Sequence, residues 1–344
     1  MFPVSKCIQH FFAKSLSFVF FISIYTSALA QQAAQWQNVS KDFGDLPASV
    51  QVFKTISEIE GKPNIAYYVK AKLDDKKLNF TADTTFQRRL TPKQFYTKNG
   101  QPLVVVNTTF FSFATHQNLN AVVKNGKLVS HNVTTIKNRG KDTLTYTHVF
   151  GSAIGITKKR KADVAWLYTD SSKKKAYAMQ EPIAAIKDSV DTYSLKDVVN
   201  LSTYLIVGNH GFKTQEIKNL KKWKVKTAVG GGPVLVQKGE IKITNDEERK
   251  FGGKAINDKH PRTAMGYTAD GYLIILAVEG RSKGVAEGAS LTHLAQMLKD
   301  IGCVEALNLD GGGSSCLLVN GKETIAPSDK VQRPVPAVFI IDSK

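Results

Sequence analysis

Short apolar runs closed by hairpin turns recur along almost the whole chain, and that rhythm limits it to a sheet-dominated fold. Apolar and polar residues alternate from Val50 to Ile56 and from Ile65 to Leu73, the period-two pattern of a strand with one buried face. Asn125-Gly126, Lys238-Gly239, Ala269-Asp-Gly271 and Asn320-Gly321 supply the backbone freedom that tight hairpin loops require. Further strands are expected at 103–106, 121–129, 149–156, 165–168, 175–179, 228–236, 241–243, 263–268, 272–278, 304–309, 316–319 and 337–341.

Helical signals are sparse. Ser290 caps an expected helix over 291–301, with Leu291, Leu294, Ala295, Leu298 and Ile301 on one face and Gly302 as the stop. Residues 195–205 fit a helix or a strand, 213–223 have helical spacing, and 244–259 read as a polar loop. Strand and helix do not alternate as they do in a doubly wound parallel sheet. The expectation is therefore α+β: a mixed, mostly antiparallel sheet with few helices. A strand-rich N-terminal extension, 31–99, precedes a catalytic domain, 100–344.

The first 30 residues read as a cleavable signal peptide. Lys6 and Lys14 form the basic region, Leu16 to Tyr25 the apolar one, and Ala28-Leu-Ala30 the cleavage site. The apolar run is shorter than the roughly 20 residues that span a bilayer, so an exported protein, periplasmic or secreted and without a stable membrane anchor, is expected. Losing Lys6 and Lys14 lowers the formal charge from +18 to +16. The basic runs, such as Lys158-Lys-Arg-Lys161, lack interleaved aromatics, which argues against a nucleic-acid partner. They read as solvated faces that also attract anionic substrates. Cys303 and Cys316 survive cleavage, and two readings stand for them: a disulfide in an oxidising compartment, or two buried thiols.

The chemistry-bearing residues sit at strand ends. Ala306-Leu-Asn-Leu-Asp-Gly-Gly-Gly-Ser-Ser315 delivers Asp310 to an edge and follows it with Gly311, Gly312, Gly313 and Ser314. A second glycine triplet, Gly230 to Gly232, lies before Pro233. Asn107 follows Val104-Val-Val106, His260-Pro-Arg262 precedes a strand, and Glu279-Gly-Arg281 follows one. Converged, these ends hold what a phosphate-bearing substrate needs. Arginines match phosphate geometry, glycine amides add neutral donors, and two carboxylates supply acid, base or nucleophile. No serine-nucleophile elbow surrounds Ser314, and no spacing marks a metal site, so no cofactor is expected.

His260-Pro-Arg-Thr-Ala-Met-Gly266, Glu279-Gly-Arg281, the helix 291–301, Ala306 to Ser315 and finally Arg333 together resemble the phosphodiester glycosidase domain family, in order and spacing, across about 100–341. The resemblance implies hydrolysis of the bond between an anomeric carbon and a phosphodiester, which releases a free sugar similar to N-acetylglucosamine and leaves a phosphomonoester. It implies Asp310 and Glu279 as catalytic residues. Substrate contacts would come from Asn107, Gly231, Gly232, His260, Arg262, Arg281, Gly311, Gly312, Gly313, Ser314 and Arg333. Two positions depart from the family pattern: Thr108 and Thr109 follow Asn107 where glycine is common, and Glu279 stands where aspartate is common. Two other readings compete: a non-catalytic binder of anionic cell-surface glycans, and a phosphodiesterase that cuts P–O.

Overall fold

The computed structural model describes residues 33–204 and 220–343. The leader at 1–30 and most of 213–223 lie outside them. Residues 33–343 form one compact unit among the described residues.

Fourteen strands matter here: β1 Val50–Thr55, β2 Ala66–Lys72, β3 Leu78–Thr84, β4 Val104–Asn107, β5 Val122–Lys124, β6 Ser152–Thr157, β7 Ala162–Asp170, β8 Val225–Gly230, β9 Val234–Gln237, β10 Arg262–Thr268, β11 Tyr272–Val278, β12 Cys303–Asn308, β13 Leu317–Val319 and β14 Ala337–Ser343. The largest sheet carries β1-β2-β11-β10-β12-β9 as its centre; a five-stranded sheet contains β13-β4-β14-β3; a seven-stranded sheet contains β7-β6-β8-β5. Every pairing within these sheets is antiparallel. The short turn 269–271 imposes that direction on β10 and β11, while most of the other pairs join strands far apart in the chain.

Side-chain alternation sorts the core. Val69 and Ala71 of β2 face a cluster shared by all three sheets, with Phe80, Val104, Ile154, Trp166, Met265, Leu307 and Phe339. The opposite face of the largest sheet packs on α4 (Leu291–Asp300; the helices Pro92–Lys98, Leu195–Tyr204 and Asn245–Glu248 are α1 to α3). Ser290 and His293 form a capping box at the start of α4, and Leu294 and Leu298 are fully buried beneath it. Truncating either leucine to alanine costs about 2–5 kcal/mol.

Three expectations change, and the open choice for the cysteines closes. Strands β1 and β2 pair into the largest sheet and β3 pairs with β14, so residues 33–99 interleave with the rest instead of forming an extension. The polar stretch 244–259 contains a short helix, α3, whose Glu248 is buried. Lys221–Lys222 is a strand, not the end of a helix. Cys303 and Cys316 are separate buried thiols, packed in different clusters. Burial pushes the Cys303 thiol up to about 12, so both are inert core residues.

Candidate active site

Antiparallel order puts the functional ends together. Arg262 opens β10 opposite Val278, the last residue of β11, and Ala264 stands opposite Asn308, the last residue of β12. Arg262, Glu279 and Asp310 therefore leave three adjacent strands at one edge. Asn107 ends β4 in the neighbouring sheet, and Gly232 N–H donates to Asn308 O at 2.7 Å. The second glycine triplet thus reaches the same edge.

Asp310 is fixed through its backbone. Its N–H donates to Thr108 O at 2.8 Å, and its carbonyl accepts from Asn107 Nδ2 at 2.6 Å. Asn107 Oδ1 accepts from Thr263 Oγ1 at 2.9 Å and from Cys316 N–H at 3.0 Å. Asn107 is fully buried. It is a brace between three segments, and the expected substrate contact is corrected to a positioning one.

The Asp310 side chain keeps a partial opening to solvent, with dense protein around the rest. Desolvation pushes its carboxyl up to about 7; the Ser314 hydroxyl, the Arg333 charge and the Gly311 N–H act in the other direction. Arg333 is held by Asp329, with Nη2 at 2.6 Å and Nε at 3.0 Å from Oδ2, and its Nη1 donates to Ser314 Oγ at 3.4 Å. Gly313 permits this: a Cβ there would overlap both Arg333 Nη2 and Asp329 Oδ2.

A cationic corner faces the turn. Arg281 is exposed, with φ at 65°, a backbone state that non-glycine residues occupy at a cost and that clusters at functional sites. Its Nη2 lies against Gly312, where a Cβ would stand 2.9 Å away. Gly312 itself has φ at 60°, so both steric room and backbone angle call for glycine. Burial lowers the His260 pKa, and Arg262 and Arg281 lower it further while Asp258 opposes. The Arg262 guanidinium is brought down to about 10, chiefly by desolvation, against the Asp258 charge and with Arg281 adding to the fall. The Arg281 charge thus acts on both Arg262 and His260, and two guanidiniums this close favour an anion.

Several expected contacts are otherwise engaged. Arg262 Nε donates to Ala289 O at 2.9 Å and Nη2 to Asp258 O at 2.8 Å, so its fork grips backbone and is not a free bidentate phosphate clamp. The Gly231 and Gly232 N–H groups donate to Ser152 O and Asn308 O, and Gly312 N–H to Pro261 O. These amides bind the protein itself. Glu279 is buried, and its Oε2 accepts from Ala326 N–H at 2.9 Å, which anchors the segment after β13. Thr108 and Ser315 hydroxyls and His260 Nδ1 are buried without a hydrogen-bond partner in the protein. No group of three or more His, Cys, Asp or Glu among the described residues is placed to hold a metal ion.

Sequence reasoning missed Asp329, which holds Arg333, and Phe110, Lys250 and Phe251. The two phenylalanine rings meet edge to face at 6.0 Å, and Arg262 Cζ lies 5.6 Å from the Phe251 centroid. The polar stretch 244–259 offered only its composition, without periodicity, as a signal.

Residues 198–342 match the family model for phosphodiester glycosidase, which bears out the resemblance read from 260–315. The mouse N-acetylglucosamine-1-phosphodiester alpha-N-acetylglucosaminidase is 34% identical over 106 residues, 28% of this chain and 20% of that protein; the human protein of that name is 33% identical over the same length and shares. The SPbeta prophage-derived uncharacterized protein YomE of Bacillus subtilis is 41% identical over 80 residues, 23% of this chain and 12% of that one. The chain thus spans a fifth or less of these relatives. Among solved structures, the catalytic domain of the zebrafish N-acetylglucosamine-1-phosphodiester alpha-N-acetylglucosaminidase superposes with a TM-score of 0.57 at 20% identity, over 91% of this chain and 89% of that one. A hypothetical protein from Synechocystis gives 0.57 at 15% identity, over 91% and 64%. These superpositions establish the shared fold.

Proposed function

We propose that the chain is an exported hydrolase that cleaves the glycosidic bond of a sugar-1-phosphodiester, freeing a sugar of the N-acetylglucosamine type and leaving a phosphomonoester. The observation that carries this reading is Asp310: a carboxyl poised near 7, at the edge where the phosphodiester glycosidase match and the cationic corner coincide. A group with that pKa gives and takes protons readily at neutral pH.

The leaving group is a phosphate, already a weak base, so protonation matters less than for an ordinary glycoside. Stabilising the charge on the departing oxygen matters more. Arg281, exposed beside Gly312, supplies it directly, and Arg262 raises the local potential. Asp310 acts on the water or on the anomeric carbon, and Glu279 is the second carboxylate of the edge. The leader at 1–30 would carry the chain out of the cytoplasm.

The test is a screen of sugar-1-phosphodiesters in heavy-oxygen water with product identification. The label is expected in the free sugar. Label in the phosphate would instead identify P–O cleavage, and tight binding without product would identify a glycan-binding protein.

A further inference from the structure

We infer that Lys250 is a further substrate-binding residue, its ammonium receiving a phosphate oxygen across the Phe110–Phe251 pair from Arg262. The inference rests on the reaction proposed above and names a residue that neither spacing nor motif singled out.

The surroundings of Lys250 are built. Its Nζ lies 5.6 Å from the centroid of Phe110. A Cβ on Gly151 would stand 3.3 Å from Nζ, and one on Gly232 would stand 2.9 Å from Cε. The lysine stem therefore lies along the second glycine triplet, whose Gly232 is bonded to Asn308, two residues before Asp310. Phe110 is the third residue after Asn107, on the segment whose Thr108 carbonyl holds the Asp310 N–H. Phe110 meets Phe251, and Phe251 meets Arg262. The two rings thus separate two cations along one wall.

This cation lacks a counter-ion. Among the described residues no carboxylate lies within ion-pair distance of Nζ and no acceptor within hydrogen-bond distance. The acidic group that acts on it, Glu248, is saturated. Glu248 accepts from Ser152 N and Oγ, Trp166 Nε1, Val234 N and Thr244 Oγ1 at 2.8–3.1 Å. Five donors fill the roughly four lone-pair sites of a carboxylate. Lys250 keeps a partial opening to solvent, and desolvation lowers its pKa. A crowded ammonium that has an aromatic face beside it but no anion is costly. It regains that cost when an anion arrives through the opening.

The probe is inorganic phosphate, which needs no turnover. Calorimetry on the full chain is expected to show binding weakened at least tenfold in Lys250→Gln, the loss of one charge-assisted contact, and restored to within about threefold in Lys250→Arg. Equal affinity in Lys250→Gln, or equal loss in both variants, overturns the assignment. Should Lys250→Gln fold poorly, reductive methylation of the unmodified chain decides instead. Phosphate is expected to protect Lys250 from labelling in a mass-spectrometric readout, and identical labelling with and without phosphate overturns the inference. Protection without turnover of any sugar-1-phosphodiester would remove the proposed reaction alone; turnover without protection would remove the Lys250 assignment alone.

Discussion

Asn107 Nδ2 donates to the Asp310 carbonyl at 2.6 Å across 203 residues of chain, so one strand end in one sheet fixes a carboxylate at the end of another. Asn107→Ala leaves Cys316 N–H and Thr263 Oγ1 short of an acceptor. It is expected to lower stability by about 1–3 kcal/mol, read by urea denaturation. Because Asn107 acts through Asp310, kcat should fall more than KM rises, and the ionisation near neutrality should move in the pH–rate profile. An unmoved profile with normal kcat would reduce Asn107 to a fold residue.

Asp310 carries a stability cost that pH reveals. Its folded pKa of about 7 lies above the ordinary carboxyl value of 3.8, so the native state holds its proton more tightly than the unfolded chain. The resulting penalty is absent below the unfolded value, grows as pH rises through that window, and is constant above about 7, reaching roughly 4 kcal/mol at most. Asp310→Asn should therefore melt higher than the wild type at pH 8 and nearly equally at pH 4, while losing at least a thousandfold in kcat. Retained activity in this variant would remove Asp310 from the chemistry.

The hairpins were legible because turn residues and period-two alternation are local signals; β10, β11 and β12 came out within a residue or two. The convergence of His260, Arg262, Arg281 and Asp310 was also foreseeable, since each sits at a strand end. What each group bonds to was not. Asn107, Arg262, Gly231 and Gly232 look like substrate contacts in sequence, and long-range backbone partners take up those donors and acceptors. Strand β3 was missed although it closes the five-stranded sheet and Leu78-Asn-Phe-Thr-Ala-Asp83 carries the same period-two alternation as its neighbours. Lys250 and Asp329 lie in polar stretches whose composition alone says loop.

Glu279 anchors Ala326 N–H, and conservative variants separate that contact from the catalytic role proposed for its charge. Glu279→Gln keeps an acceptor for Ala326 N–H and removes the charge. It should melt within a few degrees of the wild type yet lose most of its activity if the carboxylate takes part in the reaction. Glu279→Ala also strands Ala326 N–H and should cost a further 1–3 kcal/mol or so. Full activity in Glu279→Gln would leave Glu279 as an anchor of the 324–327 segment only.

Cys303 and Cys316 provide a test that does not depend on the reaction. Both are free and buried, one beneath α4 and the other beside Phe95 of α1. The separation of these clusters keeps the thiols from bracing the Asp310 turn between them. The melting temperature should be unchanged by reductant, and alkylation should require denaturant, because burial holds both thiols protonated. Cys316→Ser should destabilise by about 1–3 kcal/mol through an unpaired hydroxyl in an apolar cluster, under oxidising and reducing conditions alike. A drop in melting temperature on reduction, abolished in Cys316→Ser, would show instead that the two cysteines are bridged.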